Sequence, residues 1–391
     1  MSKRKAFMNF VAAERILFLI AVTALAFALR LKFLPFESGD YIQFLHNWFT
    51  ELKDSGGLAA IGKNLGDYMP PYFYLLALLT YIPLRDLALI KMLSFAGDII
   101  LASYAMRLVR RKYKEFWGEI AYAVVLFLPS VFLNSAAWGQ CDSIYTAALL
   151  ASVLYLMEVR DWACVTAFSV AFVFKLQSVF LAPFLLLMLM KGRIRWRCLL
   201  AFPAVYLCAI LPAAVMGRSL TDLLTVYFRQ ATQYSMISMY LPNLSVWYPE
   251  DTPFPVGIMI ALLAVLATLA AVLWFSQLEF DMTDGMTVSL ALLSVLFVPY
   301  ILPYMHERYY YPADILSVVF AFYFPEKFYV PIVTVFSSTY VVCHNLYHAD
   351  FIHIRILSVL MLFCLLWVCV STVYLTRDEK LRKRCENRWK N

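Results

Sequence analysis

Long apolar runs separated by short polar segments dominate this sequence. A helix needs about 20 apolar residues to cross roughly 30 Å of membrane hydrocarbon. The pattern therefore predicts an all-α, polytopic membrane protein with about twelve transmembrane helices. The predicted spans lie near residues 16–34, 88–109, 117–133, 143–157, 162–174, 179–190, 199–216, 256–275, 286–302, 310–324, 330–342 and 354–375.

The apolar run Tyr72–Leu84 is too short to span comfortably. It follows Pro70 and Pro71, which suit the first turn of a helix because amide hydrogens lack partners there. We expect an interfacial or re-entrant helix inside a long outside loop, at about residues 37–87. A second long outside loop is predicted at about residues 217–255.

Composition agrees with the membrane prediction. Of the 391 residues, 63% are hydrophobic and 15% are charged, whereas soluble domains are roughly 45–50% apolar and about 25% charged. These values exclude a soluble globular protein, and also intrinsic disorder, which requires low hydrophobicity and high charge. Residues 1–391 are therefore predicted to form a single transmembrane domain.

The net charge of +7 is explained by topology. Basic residues collect at residues 1–15, 110–114 and 191–197, and in a tail at about residues 376–391. Because Lys and Arg concentrate in cytoplasmic segments, these stretches are predicted to be cytoplasmic and the two long loops to lie outside. The basic charge thus implies no nucleic-acid partner.

Two carboxylates stand on the outer side, in Ser38-Gly39-Asp40 and at Asp67-Tyr68. A carboxylate that is partly desolvated at a helix mouth can act as a general base, which makes Asp40 a catalytic candidate. Asp67 is a candidate for facing a ligand. Both motifs keep an alternative: Asp and Gly also mark ordinary helix ends, and the prolines after Tyr68 mark an ordinary helix start.

A short outside turn, Trp138–Asp142, carries groups that suit a sugar. The amide of Gln140 and the carboxylate of Asp142 fit sugar hydroxyls, and the Trp138 ring fits an apolar sugar face. The alternative is an interfacial Trp followed by an Asp helix cap. Lys175, on the same side, has no evident local partner, so it either snorkels to headgroups or binds a lipid phosphate.

Three consecutive ionisable residues, His306-Glu307-Arg308, occupy the junction between two predicted spans. Arg308 offers a fork of donors that matches phosphate, so with His306 it would hold a phosphate diester, and Glu307 would orient either side chain. The alternative is a short loop with an internal Glu–Arg pair. We favour function because ionisable groups near membrane depth are costly.

Several common chemistries are missing from the sequence. It contains no Walker A, GxGxxG, HExxH or GxSxG motif. No strong metal-ligand cluster is evident, although Asp40, Asp67 and Asp142 are carboxylates that would suit a divalent cation if they met in space. The sequence therefore requires no cofactor.

The order Gly39-Asp40-Tyr41, Asp67-Tyr68-x-Pro-Pro and His306-Glu307-Arg308 resembles the GT-C superfamily of integral-membrane glycosyltransferases. It is most similar to the dolichyl-phosphate-glucose glucosyltransferases, with their GDY, DYPP and HEK-type motifs, and to their bacterial relatives. Arg308 stands where Lys would be expected. The absence of a large soluble domain favours a lipid-linked or polysaccharide acceptor over a protein.

The resemblance implies an inverting transfer of a hexose from a polyprenyl-phosphate sugar to a glycan or glycolipid acceptor, at the outer face of a bacterial cell membrane. Asp40 would be the general base, and His306, Arg308 and Lys175 would bind the donor phosphate. The implied sugar- or acceptor-binding residues are Asp67, Tyr68, Trp138, Gln140, Asp142 and Glu307.

The main alternative is a lipid-linked oligosaccharide flippase or another secondary transporter, which about twelve spans would also suit. Transporters place polar residues near the membrane midplane, and Asp98 is such a residue. The other informative charges are predicted to lie at one face, which favours the enzyme.

Overall fold

The computed structural model describes residues 2–114, 116–232 and 236–388, with side chains from residue 13 to 376 apart from 115 and 231–235. The side chains of the basic tail after residue 376 lie outside this part of the chain. The predicted all-α class is confirmed across the described residues. The helices are α1 (Ser2–Leu31), α2 (His46–Asp54), α3 (Pro70–Leu79), α4 (Asp86–Lys112), α5 (Trp117–Phe127), α6 (Pro129–Phe132), α7 (Asp142–Met157), α8 (Asp161–Phe174), α9 (Ala182–Met190), α10 (Ala201–Val215), α11 (Leu220–Thr232), α12 (Phe254–Gln277), α13 (Asp284–Ile301), α14 (Tyr311–Tyr323), α15 (Tyr329–Tyr347) and α16 (Ile354–Arg388).

Several helices are long and apolar enough to cross a membrane, so the multi-pass prediction is confirmed in this coarser form. There are 5 such helices in the described chain, or 6 if the bent pair formed by α5 and the segment after it is one span. The expected count of about twelve is not reached by this criterion, because turns interrupt the apolar runs and leave helices such as α8 with 14 residues and α9 with 9 residues. The long helices are Asp86–Lys112, Trp196–Val215, Phe254–Gln277, Asp284–Ile301 and Ile354–Thr376.

The helices share two polar ends. At the basic end, Arg110 and Arg15 approach Glu119 at 2.7 Å and 3.5 Å, and Arg111 pairs with Asp284 at 2.8 Å. These contacts join the middle of α1, the end of α4 and the starts of α5 and α13. At the opposite end, the Lys91 ammonium of α4 donates to main-chain carbonyls just after α1. Helices α1 and α4 therefore run antiparallel.

The two predicted outside loops both contain helices. In the first, α3 begins at Pro70 as predicted, and its Tyr72 and Leu76 are buried in a small core with Leu52 of α2. The second contains α11 and a strand, β1 (Ser238–Met239), which pairs in parallel with β2 (Met305–His306). The pairing sets Met239 opposite His306, and so brings the second loop against the segment that carries His306.

Asp98, the polar residue in the middle of a span, has a buried partner. Its Oδ2 accepts hydrogen bonds from Arg30 Nη2 at 2.8 Å, Arg30 Nε at 3.1 Å and the Ser135 hydroxyl at 2.6 Å. A buried charge is tolerated when it is paired and hydrogen-bonded. The pair thus fastens α1 to α4 and to a π-helical turn, Leu133–Trp138, that precedes the Gln140 segment.

Candidate functional site

The side chain of Ser38 fastens the Asp40 motif to the Trp138–Asp142 turn. Asp40 opens a π-helical turn, Tyr41–Leu45, after the irregular stretch that follows α1. The Ser38 hydroxyl donates to the carbonyl of Trp138 at 2.7 Å and accepts the amide of Tyr41 at 3.2 Å. This double contact sets the Asp40 backbone against the Gln140 segment, 100 residues further along the chain.

The carboxylate of Asp40 meets side chains from two distant segments. Its Oδ2 accepts a 2.6 Å hydrogen bond from Gln140 Nε2 and lies 3.3 Å from Arg308 Nη1. The side chain is 30% exposed, so the carboxylate is held in place yet remains open on one side. The structure therefore brings Asp40, Gln140 and Arg308 together.

Behind this group lies a buried ion pair between Lys175 and Asp142. The Lys175 ammonium donates to Asp142 Oδ1, and its side chain is only 3% exposed. Asp142 Oδ2 accepts from Asn134 at 2.8 Å and lies 3.7 Å from Arg308 Nε. Lys175 has no evident partner nearby in the sequence, and its partner in the structure is Asp142, 33 residues earlier, which neutralises it.

Gln140 links the buried pair to Asp40. Its Oε1 accepts from the Tyr68 hydroxyl at 3.2 Å and lies 3.4 Å from Lys175 Nζ. Because an ammonium group only donates, the amide oxygen must face Lys175 and the amide nitrogen must face Asp40. The neighbours therefore fix the orientation of this amide, so that its nitrogen donates a hydrogen bond to Asp40.

Arg308 is a charged side chain with a hydrogen-bond donor that no acceptor in the described chain uses. Its guanidinium carbon lies 5.1 Å above the Trp138 ring, and its Nε is buried without a hydrogen-bond acceptor in the described chain. Burial works against the charge, but Asp40, Tyr68 and Asp142 outweigh it and raise the pKa of Arg308 well above its usual value. The guanidinium therefore stays charged.

The structure changes the setting of three predicted sugar-binding residues. Trp138 is 1% exposed beneath Arg308, so its ring is not open for stacking on a sugar. Gln140 and Asp142 are also buried and already bonded inside the protein. These three residues support Asp40 and Arg308 because the loop folds inward over the helix ends.

Asp67 faces the same group of charges from the first loop. Partial burial raises the pKa of Asp67 above its usual value, although the charges of Arg308, Lys175 and His306 favour its ionised form. A partly buried carboxylate with a raised pKa, close to three basic groups, is typical of a functional site. Tyr68, the next residue, is buried and bonded to Gln140.

Substituting Asp67 with Asn is expected to stabilise the protein near neutral pH. Since the folded pKa is raised, the folded state holds the proton more tightly than the unfolded state, and stability falls as pH rises above about 3.9, the usual value. Asp67→Asn has no carboxyl group at this position, so its stability does not fall in this way as the pH rises. Thermal unfolding in detergent between about pH 4 and pH 7 tests this prediction, and Asp54→Asn, at an exposed position, is the control. The prediction would be contradicted if Asp67→Asn were less stable than the unsubstituted protein and the difference grew with pH.

The third predicted motif contributes a His–Glu pair beside Arg308. Glu307 Oε2 lies 3.6 Å from His306 Nδ1, and its Oε1 accepts from Asn345 Nδ2 at 3.1 Å. Burial opposes ionisation of Glu307, but the hydrogen bond with His306 and the charge of Arg308 outweigh it and lower its pKa. Asn345, near the end of α15, could not be recognised as a site residue from the sequence, because its neighbours are typical of an ordinary span end.

Among the described residues, the carboxylates considered for a divalent cation, Asp40, Asp67 and Asp142, do not form a metal-binding group. Asp142 is already paired with Lys175, and Asp40 is bonded to Gln140. Across the described ranges, no group of three His, Cys, Asp or Glu side chains is arranged to hold a metal ion.

Comparison with known proteins gives no family assignment. No protein-family model matches the sequence, and no curated protein matches it. The functional conclusion therefore rests on the geometry of this site.

Proposed function

We propose that this protein is a membrane glycosyltransferase. It transfers a hexose from a polyprenyl-phosphate sugar to a lipid-linked or polysaccharide acceptor, with inversion at the anomeric carbon and with Asp40 as the general base. The observation that carries the proposal is the partly open Asp40 carboxylate, held by Gln140 and set beside the Arg308 guanidinium. A base next to a fixed cation is what this transfer needs.

Each side chain has a defined part in the proposed step. The acceptor oxygen bonds to the anomeric carbon while the bond from that carbon to the phosphate oxygen breaks, and the electron pair leaves with the phosphate. Asp40 receives the proton of the acceptor hydroxyl. Arg308, whose Nε has no acceptor in the described chain, and the neighbouring His306 offset the charge that develops on the leaving phosphate.

Lys175 supports phosphate binding indirectly in this proposal. Its ammonium neutralises Asp142, which would otherwise draw the Arg308 guanidinium inward from 3.7 Å. Arg308 then keeps bonding capacity for the donor. Asp67 and Asp40, which remain partly exposed, are the carboxylates we assign to contact with sugar hydroxyls and acceptor.

The membrane arrangement is part of the proposal. Helix α7 runs from Asp142 in the site to a C-terminal end where Glu158 pairs with Arg107 of α4, so it connects the same two ends as the longer helices. Its 16 residues extend about 24 Å. The bent pair that begins with α5 counts as the sixth candidate span. We infer that α1, α7, α8, α9, α14 and α15 also cross the bilayer, giving about twelve crossings, with the basic end cytoplasmic and the site at the outer face.

A transfer assay with defined donors tests the function. Purified protein in lipid vesicles is given either a radiolabelled polyprenyl-phosphate monosaccharide or a polyprenyl-diphosphate oligosaccharide, together with an extract of lipid and glycan acceptors. We expect label transfer from the monosaccharide donor only. Transfer from the diphosphate donor alone would indicate a polymerase or ligase, and movement of lipid-linked sugar across the bilayer without transfer would indicate a flippase.

The setting of Asp98 favours the enzyme proposal over the transport alternative. The buried charge that would suit a transporter, Asp98, is bonded to Arg30 and Ser135 and is completely buried. Its contacts fasten three helical segments, which is a structural use of a charge. Asp40 and Asp67, the partly exposed carboxylates of the candidate site, lie instead at one end of the helices.

A further inference from the structure

Helix α11, inside the second predicted outside loop, has three distinct faces. Leu223 and Val226 are fully buried against the protein. Leu220, Leu224 and Phe228 are between 54% and 76% exposed, at intervals of four residues. A third row at the same interval, Thr221, Thr225 and Arg229, is polar and at least partly exposed. The exposed half of the helix is thus divided into an apolar row and a polar row.

The two exposed rows point in different directions. At 3.6 residues per turn, neighbouring residues lie about 100° apart around a helix, so the apolar row stands about 100° from the polar row. A helix at the boundary between hydrocarbon and water has this division of its surface. In water, the exposed surface of the apolar row would be unfavourable, because apolar surface is stabilised when it is removed from water.

The helix that precedes α11 is a candidate membrane span with an exposed apolar face of its own. On α10, Leu207, Leu211 and Val215 are between 58% and 75% exposed, again at intervals of four residues. This helix belongs to the candidate span Trp196–Val215, only 22% of which is buried in the protein. The remaining surface of such a span contacts lipid, and α11 begins five residues after it.

The buried and polar parts of α11 hold the segment that carries Asp67 and Tyr68. Leu223 and Val226 pack on fully buried Met69. The Arg218 guanidinium donates to Asn64 Oδ1 at 3.1 Å and to Asp222 Oδ2 at 2.5 Å, and Asn64 Nδ2 donates to Asp222 Oδ1 at 3.2 Å. The segment 64–69 is therefore fastened to α11 at both of its ends.

We propose that α11 lies in the membrane interface with Leu220, Leu224 and Phe228 in the lipid hydrocarbon, and that this contact positions the Asp67–Tyr68 segment. The occupant of the apolar row is the acyl region of the bilayer. The functional value of positioning Asp67 rests on the proposed glycosyl transfer, whereas the lipid contact and its effect on residues 64–69 do not.

Photo-crosslinking tests the lipid contact. A benzophenone side chain replaces Leu224 in one variant and Thr225 in the matched control, and each protein is placed in vesicles of radiolabelled phospholipid. We expect position 224 to yield at least about fivefold more lipid adduct, because position 225 faces water. Equal yields, or adducts of position 224 with a second copy of the protein, would overturn the proposal.

Hydrogen exchange tests the positioning without any need for catalysis. The double variant Leu220→Ser/Leu224→Ser weakens the lipid contact, and Thr221→Ser/Thr225→Ser is the matched control. In vesicles, amides of residues 64–69 are expected to exchange about tenfold faster in the first variant, with α13 unchanged in both. Unchanged exchange at residues 64–69 would refute the coupling, even if transfer from a polyprenyl-phosphate sugar is never detected.

Discussion

Replacing Asp40 with Asn is expected to reduce sugar transfer by about 10²–10⁴-fold, the usual contribution of a general base. The amide cannot accept the proton of the acceptor hydroxyl, although it keeps the size of the carboxylate. Its oxygen can still accept the hydrogen bond from Gln140 and contact Arg308, so the fold and donor binding should be retained. Initial rates with a polyprenyl-phosphate monosaccharide donor measure the loss.

Glu37→Gln is the matched control for this substitution. Glu37 lies three residues earlier, is exposed and pairs with Arg85, outside the group around Asp40. Its variant should transfer sugar within about twofold of the unsubstituted protein, since exposed ion pairs contribute little. A folded Asp40→Asn protein that transfers sugar at the unsubstituted rate would eliminate Asp40 as the base.

Replacing Lys175 with Met is expected to lower the free energy of unfolding by about 3–5 kcal/mol, because it leaves the buried Asp142 carboxylate without its main partner. Arg308, at 3.7 Å, would turn toward Asp142 and lose bonding capacity for phosphate. Donor affinity should therefore fall together with stability. Chemical unfolding in mixed micelles measures the first effect, and donor binding measures the second.

The double variant Lys175→Met/Asp142→Asn separates charge from packing. Removing both charges should recover most of the lost stability, since the cost arises from a buried, unpaired ion. Lys63→Met is the matched control: Lys63 forms an exposed pair with Glu51, so its loss should leave the free energy of unfolding nearly unchanged. A Lys175→Met protein as stable as the original would contradict the buried ion pair.

The polar motifs could be found in the sequence because they stand out locally against apolar runs. Asp40, Gln140 and Arg308 were each singled out at a helix end, and the structure brings them into contact across 100 and 268 residues of chain. Their chemical roles stay predictions. The sequence does not show which of these side chains stay exposed to solvent. Their exposure depends on how segments that are distant in the sequence pack around them.

Trp138 and Lys175 illustrate this limit. An aromatic residue in a polar turn looks available to a sugar, but the turn folds inward and covers Trp138 with Arg308. A lone Lys between apolar runs looks unpaired, but Asp142, the first residue of α7, forms an ion pair with it. Neither partner is near in sequence, so no local pattern indicates it.

The sequence by itself determined that this is an all-α, multi-pass membrane protein and which polar residues are exceptional, because hydropathy and charge are properties of each local stretch of chain. It overestimated how many long helices there are, since turns shorten apolar runs. Only the tertiary structure decided which charges are neutralised, which carboxylates remain open and which face of α11 is apolar and exposed. Those outcomes depend on distances between remote segments, and the free energy of a charge depends on the partners that folding brings to it.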